Sequence, residues 1–243
     1  MAAGELLLGR YGGPVRGLDR KSSRTDMVSD ADRDAEALVQ GMLARERPDD
    51  GLLAEEGSRS GGASGRRWVV DPLDGTTNFL YGFPSWAVSI ALEDSAGAGL
   101  AGVVHDPLRA ETFTAVRGQG ARLGDARLEL APGAGLESAL IATGFSYEAG
   151  HRREQAELLA HVLPRVRDIR RAGAAALDLC WVAAGRVDGF YERGLQHWDW
   201  AAAGLVVSEA GGIVEPLEGD PAGLMATRPG IAEELRILLE PPT

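Results

Sequence analysis

Trp68-Val69-Val70-Asp71-Pro72-Leu73-Asp74-Gly75-Thr76-Thr77-Asn78-Phe79 is the stretch on which the fold and the function of this chain turn. Trp68 to Val70 has the apolar, β-branched character of a short buried strand. That strand is expected to end at Asp71, with its carboxylate emerging at the C-terminal edge. Pro72 and Gly75 predict a tight turn that brings Asp74 back beside Asp71. Gly75-Thr76-Thr77 then opens a candidate helix, whose unpaired amides and partial positive charge suit a phosphate. Two carboxylates and an anion-binding helix start on one turn make a site for a cation-bridged phosphate. Taken alone, Asp-Pro-x-Asp-Gly is more often an ordinary turn followed by a cap, so the rest of the chain must decide.

Working outward, residues 29–46 predict a helix with Ser29 as cap, Asp32 in the first turn, and Ala31, Ala35, Leu38, Val39, Met42 and Leu43 as its apolar stripe. Glu55-Glu56 and the Gly/Ser/Arg loop over 57–67 follow. Adjacent glutamates usually mark a solvated edge, but the loop lets one swing over a metal site. Trp86 to Leu92 reads as a strand, and 99–130 as short strands separated by glycine turns, an antiparallel pattern. The second half alternates: strands near 139–142, 166–170 and 187–191, and helices near 151–163 and 174–184. A helix over about 199–210, a strand at Ile213-Val214 and a last helix opened by Pro229 complete it. Asp199 is read as the cap of its helix; Trp198 and Trp200 on either side imply a buried cap, and a buried carboxylate needs a partner, for which a metal qualifies. The expectation is an α+β protein with an antiparallel-rich first half and an alternating α/β second half.

The 243 residues suffice for a sizeable core, with 44% apolar and 25% charged residues as in ordinary globular proteins. No apolar run reaches the roughly 20 residues that span a bilayer. The formal charge of −11 argues against nucleic-acid polymers and anionic membranes as partners. Cys180 has no second cysteine to pair with and sits among Ala176, Leu179 and Ala183, a core pattern; nothing calls for an oxidising compartment, and a cytoplasmic location is expected. Of the 25 basic residues only Lys21 is lysine. Either an arginine-rich genome left one by chance, or position 21 needs a compact, flexible ammonium.

Asp71-Pro-Leu-Asp-Gly-Thr-Thr-Asn-Phe79 together with Trp198-Asp-Trp-Ala-Ala-Ala-Gly204 and Glu209-Ala-Gly-Gly212 closely resembles the two signature segments of the inositol monophosphatase family. The resemblance continues, in order, through Lys21-Ser-Ser, Asp26-x-Val-Ser-x-x-Asp32, Glu55-Glu56, Gly118-x-Gly-Ala and Ile169-Arg-Arg-x-Gly173-x-Ala-Ala, nearly the whole chain. It implies a layered αβαβα sandwich with an N-terminal α+β subdomain over 1–132 and a C-terminal α/β subdomain over 133–243, forming one compact unit. It also implies a lithium-sensitive, Mg²⁺-dependent phosphomonoesterase, a homodimer, acting on a small polyol or sugar phosphate such as inositol 1-phosphate. By resemblance, Glu55, Asp71 and the Leu73 carbonyl hold one Mg²⁺ and Asp71, Asp74 and Asp199 a second, in a set of two or three ions. Glu55 and Thr76 position and help deprotonate a metal-activated water. The Gly75 and Thr76 amides hold phosphate oxygens, Lys21 matches a functional lysine that the family carries in its N-terminal loop, and Gly173, Ala174, Ala175, Glu192 and Asp74 line the substrate side together with Asp199. The oxygen-only donors suit hard Mg²⁺, and the four histidines have no zinc-type spacing.

Ala174 departs from the serine or threonine common after that glycine, which removes a hydroxyl near the substrate. Ala54 replaces a glycine, His197 stands at a variable position, and the N-terminal helix is short. Sister phosphatases of histidinol phosphate, 3′-phosphorylated nucleotides or fructose 1,6-bisphosphate are the alternatives, as is a catalytically dead regulatory or binding homologue. Gly97-x-Gly-x-x-Gly102 leads into a strand and reads as a hairpin rather than a nucleotide loop, and Asp30-x-Asp-x-Asp34 lacks the glycine and glutamate of a calcium loop.

Overall fold

The computed structural model describes residues 1–14, 16–20 and 27–240, so Lys21 and Asp26 lie outside the described residues. The elements run α1 (Ala2–Leu8), β1 (Asp19–Arg20), β2 (Met27–Val28), α2 (Asp30–Glu46), β3 (Gly51–Ala54), β4 (Arg59–Ser60), β5 (Arg66–Asp74), α3 (Thr76–Tyr81) and β6 (Ala87–Asp94). Then come β7 (Gly99–Asp106), β8 (Glu111–Val116), β9 (Gly120–Leu123), β10 (Ala126–Leu128), β11 (Leu140–Thr143), α4 (Ala149–Val162), β12 (Asp168–Arg170) and α5 (Ala175–Ala183). The chain closes with β13 (Gly189–Arg193), α6 (His197–Glu209), β14 (Ile213–Leu217), β15 (Gly223–Thr227) and α7 (Ala232–Leu239).

Eight strands form one sheet in the order β10-β9-β8-β7-β6-β5-β3-β4, and five form another in the order β12-β11-β13-β15-β14. The first is antiparallel except where β3 lies parallel to β5. Three apolar clusters stack the layers. Ala3, Leu7, Ala35 and Val39 of α1 and α2 pack on Val70, Leu73 and Val88 from one face of the large sheet. Its other face, with Val69, Ala91, Val104 and Phe113, meets α5 and α6, which also cover Ala142, Phe190 and Ala226 of the smaller sheet. Val162, Leu235 and Leu238 of α4 and α7 close the far side against Ile141, Tyr191 and Met225. This is the αβαβα sandwich expected from the sequence, with α5 and α6 as its central layer.

The central layer is built from small residues. At Gly102 on β7 a Cβ would sit 2.7 Å from the carbonyl of Ala202, so α6 rests directly on the sheet backbone through Ala201–Gly204. The Gly118-x-Gly-Ala motif has a related purpose: the Gly118 and Gly120 amides each donate at 2.8 Å to the Glu209 carboxylate at the end of α6. A carboxylate opposes the helix dipole there, and the two N–H groups offset that cost.

Several expectations shift. β5 does not end at Asp71 but continues through Pro72 to Asp74. The helix of Asp199 starts two residues early, at His197, and α7 starts at Ala232, with Pro229-Gly230 forming the preceding turn at a Gly230 φ of 98°. β3, of four residues, and β15, of five, lie outside the expected set, because runs so short carry no period to detect. Gly97, at φ 79°, turns the β6–β7 hairpin as expected. Cys180 is fully buried and burial pushes its thiol well up, the behaviour of a core residue.

Candidate active site

Asp71 and Asp74 are three residues apart, and in a regular strand would point to opposite faces. Asp71 pairs with Ser89 and Asp74 with Ala87, so three steps on β5 match two on β6. One residue is absorbed in a bulge, and both carboxylates emerge on the face toward α5 and α6. Pro72 sits inside the bulge, where no ladder amide is required. The predicted tight turn is therefore an interrupted strand with the same outcome.

Glu55 arrives by register rather than by a swinging loop. β3 runs parallel to β5 with Ala54 beside Val70, and the Glu55 amide donates to the Val70 carbonyl at 3.1 Å. Its position is therefore next to Asp71. The turn after it is held from behind, where the buried Glu36 of α2 accepts from the amides of Glu56 at 2.7 Å and Ser58 at 3.0 Å. One helical turn earlier, Asp32 serves the site directly. Its Oδ1 accepts from the Thr76 hydroxyl at 3.0 Å, while Oδ2 accepts from the Ser29 amide and hydroxyl in a capping box. As a first-turn acid Asp32 carries no sign of this contact; the signal that finds it is its place at the end of the Val28-Ser-x-x-Asp32 motif.

Asp199 comes from α6, as the third residue of the helix and not its cap. Gln196 is the cap, and its amide donates to Asp199 Oδ2 at 2.7 Å. Trp198, Asp199 and Trp200 are half-buried, so the carboxylate opens to the cavity and is not sealed between the indoles. Asp74 is held by the other helix of the central layer: its two oxygens accept from the α5 amides of Ala175 at 3.2 Å and Ala176 at 2.8 Å.

These groups line one cavity of about 470 Å³, within the usual size range of small-molecule sites. Glu55, Asp71, Leu73, Asp74, Gly75, Thr76, Gly173, Ala175, Glu192 and Asp199 all face it. Ala174 does not; it is buried as the residue preceding α5. The missing hydroxyl at 174 therefore opens no space in the cavity wall. Beyond the predicted set, the wall includes the 144–148 loop after β11, His151 of α4, Arg171, Arg193 and Pro221. Glu192 lies on the Phe190 face of β13 and packs against Gly144, where a Cβ would overlap its carboxylate. Arg171 stands over the Phe145 ring at 6.0 Å and draws the Glu192 pKa down, while burial pushes it up to about 8.

Burial, then the neighbouring charge of Glu55 and Asp74, raises Asp71 and Asp199 well above the ordinary carboxylate range. Asp74 stands at about 7, raised by burial and lowered by the Ala176 amide. Asp71, Asp74 and Asp199, gathered beside Glu55, are thus disfavoured in their charged forms, a condition that a divalent cation relieves. Among the described residues, no three His, Cys, Asp or Glu side chains already form a closed metal cage. Asp74, Asp199 and Asp71 are each turned onto a backbone amide, the last onto that of Leu73 at 3.0 Å. The donor set fits a hard cation in chemistry, with carboxylate and carbonyl oxygens only.

The family model described as the inositol monophosphatase family matches residues 1–240. The inositol-1-monophosphatase SuhB of Mycobacterium tuberculosis is 47% identical over 234 residues, 90% of this chain and 80% of its own length. The Nus factor SuhB of Escherichia coli is 42% identical over 219 residues, 89% of this chain and 82% of its own length. The crystal structure of the extragenic suppressor protein suhB from Bartonella henselae superposes with a TM-score of 0.93 at 43% identity, covering 100% of this chain and 96% of that one. The layered fold, the bulged Asp71–Asp74 strand and a match of this length lead to one assignment: the chain belongs to the inositol monophosphatase family.

Proposed function

We propose that this protein is a phosphatase that hydrolyses a small polyol phosphate, with inositol 1-phosphate as first candidate, in a reaction that requires Mg²⁺. The observation that carries this is the meeting of Glu55, Asp71, Asp74 and Asp199 in one cavity beside the Asp32–Thr76 pair. Bound Mg²⁺ supplies positive charge that polarises the phosphate and activates water. Glu55, Asp71, the Leu73 carbonyl, Asp74 and Asp199 are the residues that hold it. Thr76 has one hydroxyl hydrogen, and Asp32 takes it, which leaves an Oγ1 lone pair to accept a hydrogen from the attacking water. Asp32 so fixes the direction of that proton contact, with Glu55 as the second acceptor. The Gly75 and Thr76 amides, at the start of α3, hold phosphate oxygens. On the far side Glu192 and Asp74 face the hydroxyls of the leaving alcohol. Lys21 is assigned a part in turnover by the family resemblance alone, as are lithium inhibition and a homodimer.

Phosphate release from inositol 1-phosphate, histidinol phosphate, a 3′-phosphonucleotide and fructose 1,6-bisphosphate, with and without Mg²⁺, tests the reading. Inositol 1-phosphate is expected to be turned over best, and only with Mg²⁺. Asp71→Asn is expected to abolish turnover, and undiminished activity in that variant would overturn the mechanism. The name of the Escherichia coli relative, Nus factor SuhB, raises a second reading, a regulatory protein that retains the fold. A wild-type chain that releases no phosphate from any of the four esters would favour it.

A further inference from the structure

Asn78 belongs to the Asp71–Phe79 stretch but is not among the residues lining the cavity. The residue is 8% exposed, and its side-chain amide nitrogen donates to the carbonyls of Ser85 at 2.7 Å, Ala172 at 2.8 Å and Gly173 at 3.2 Å. An amide has two hydrogens, so Ser85 and Ala172 receive the direct bonds and Gly173 shares at longer range. Ser85 ties the amide to its own part of the chain. Ala172 and Gly173 lie 94 and 95 residues further on, in the turn that leads into α5.

The two turns approach closely at Gly75, which has no side chain of its own. Gly75 has φ 88°, and a Cβ there would sit 2.9 Å from the Ser85 carbonyl and 3.2 Å from the Ala174 Cβ. Two polar bridges cross this contact. One is Asp74, which grips the α5 amides of Ala175 and Ala176. The other is Asn78. Asp74 is a proposed cation ligand, so its oxygens serve two partners; the Asn78 amide serves only the contact. The turn it holds also carries Arg171, which stands over Phe145 and acts on Glu192 across the cavity.

We propose that Asn78 is a positioning residue that holds the 171–175 turn in register with the Asp71–Asp74 strand, and so sets affinity for the phosphate ester more than the rate of the chemical step. This rests on the phosphatase reading for its kinetic half and on the hydrogen bonds alone for its structural half. Asn78→Ala removes all three bonds, and Asn78→Ser keeps one donor. Asn78→Ala is expected to raise KM for inositol 1-phosphate about tenfold while kcat changes less than about threefold, with Asn78→Ser between it and wild type. In Mg²⁺-free protein, hydrogen exchange of peptides spanning 171–177 is expected to accelerate in Asn78→Ala while the β6–β8 peptides keep their protection.

An unchanged KM in a folded variant would overturn the proposal. So would loss of protection spread over the whole chain, or failure of both variants to fold, either of which makes Asn78 a general stability residue. If wild type turns over no phosphate ester, the phosphatase reading fails, whereas the exchange experiment still reads the clamp on its own.

Discussion

Thr76 shows how much of the site is decided by single atoms. Its hydroxyl lies 3.0 Å from Asp32 Oδ1 and 3.1 Å from the Leu73 carbonyl, and has one hydrogen for the two. The charged acceptor takes it, since hydrogen bonds to carboxylates are the stronger kind. Thr76→Val keeps the shape and removes the hydroxyl. Turnover is expected to fall about a hundredfold, as for loss of a positioned proton contact, with stability lower by about 1 kcal/mol. Steady-state kinetics and urea unfolding on the same preparation check both parts. A variant with wild-type kcat would mean that the Asp32–Thr76 pair is structural only. Asp32 also shows why single residues mislead in sequence. Its position predicts a helix-capping acid, and its second oxygen does that work; only its place in the Val28-Ser-x-x-Asp32 motif marks it for more.

At the scale of elements, α2 holds the proposed metal side from behind. Asp32 and Glu36 are four residues apart, hence on one face of the helix, and they reach α3 and the turn after β3 respectively. Glu36→Ala strips the acceptor from two half-buried amides, those of Glu56 and Ser58. A loss of about 2 kcal/mol is expected in urea unfolding, along with a weaker Mg²⁺ response, because the turn that carries Glu55 loosens. An unaltered Mg²⁺ response would show that β3 alone positions Glu55. The helices of the central layer act from the front, each by its first turn: α5 through the amides on Asp74, α6 through the Gln196–Asp199 capping box. A helix start contributes a donor where a carboxylate needs one, which is why α5 and α6 meet the cavity end-on.

For the molecule as a whole, the acids gathered in the cavity make stability depend on pH. Asp74 stands at about 7 and Glu192 at about 8 when folded, against ordinary values of 3.8 and 4.5. Across that interval the folded chain binds more protons than the unfolded one. Their contribution is therefore complete below about pH 4 and is lost as pH rises through 7 to 8. Carboxylates with lowered pKa, such as Glu111 beside Arg186, lose their contribution only as pH falls below about 4.5, so the two windows stay apart. In chelator the melting temperature is expected to fall between pH 5 and pH 8. Mg²⁺ is expected to raise it more at pH 8 than at pH 5, because the cation binds the deprotonated acids. Thermal melts at the two pH values, with and without Mg²⁺, measure this. Equal Mg²⁺ shifts at both would argue that the carboxylates do not hold the ion.

The sequence by itself determined the family, the order of strands and helices in outline, and the acids Glu55, Asp71, Asp74 and Asp199, because signature segments and caps are local patterns. No helix among the described residues is long and apolar enough to cross a membrane, as composition already indicated. Tertiary structure alone decided how those acids come to share a cavity. The bulge between Asp71 and Asp74, the parallel register that sets Glu55 beside β5, the second use of Asp32 and the reach of Asn78 to Ala172 all depend on partners 13 or more residues away. A local pattern records which residue is present and its own preferred backbone. It does not record which strand, helix end or carbonyl lies opposite, and in this site that opposition decides what each side chain does.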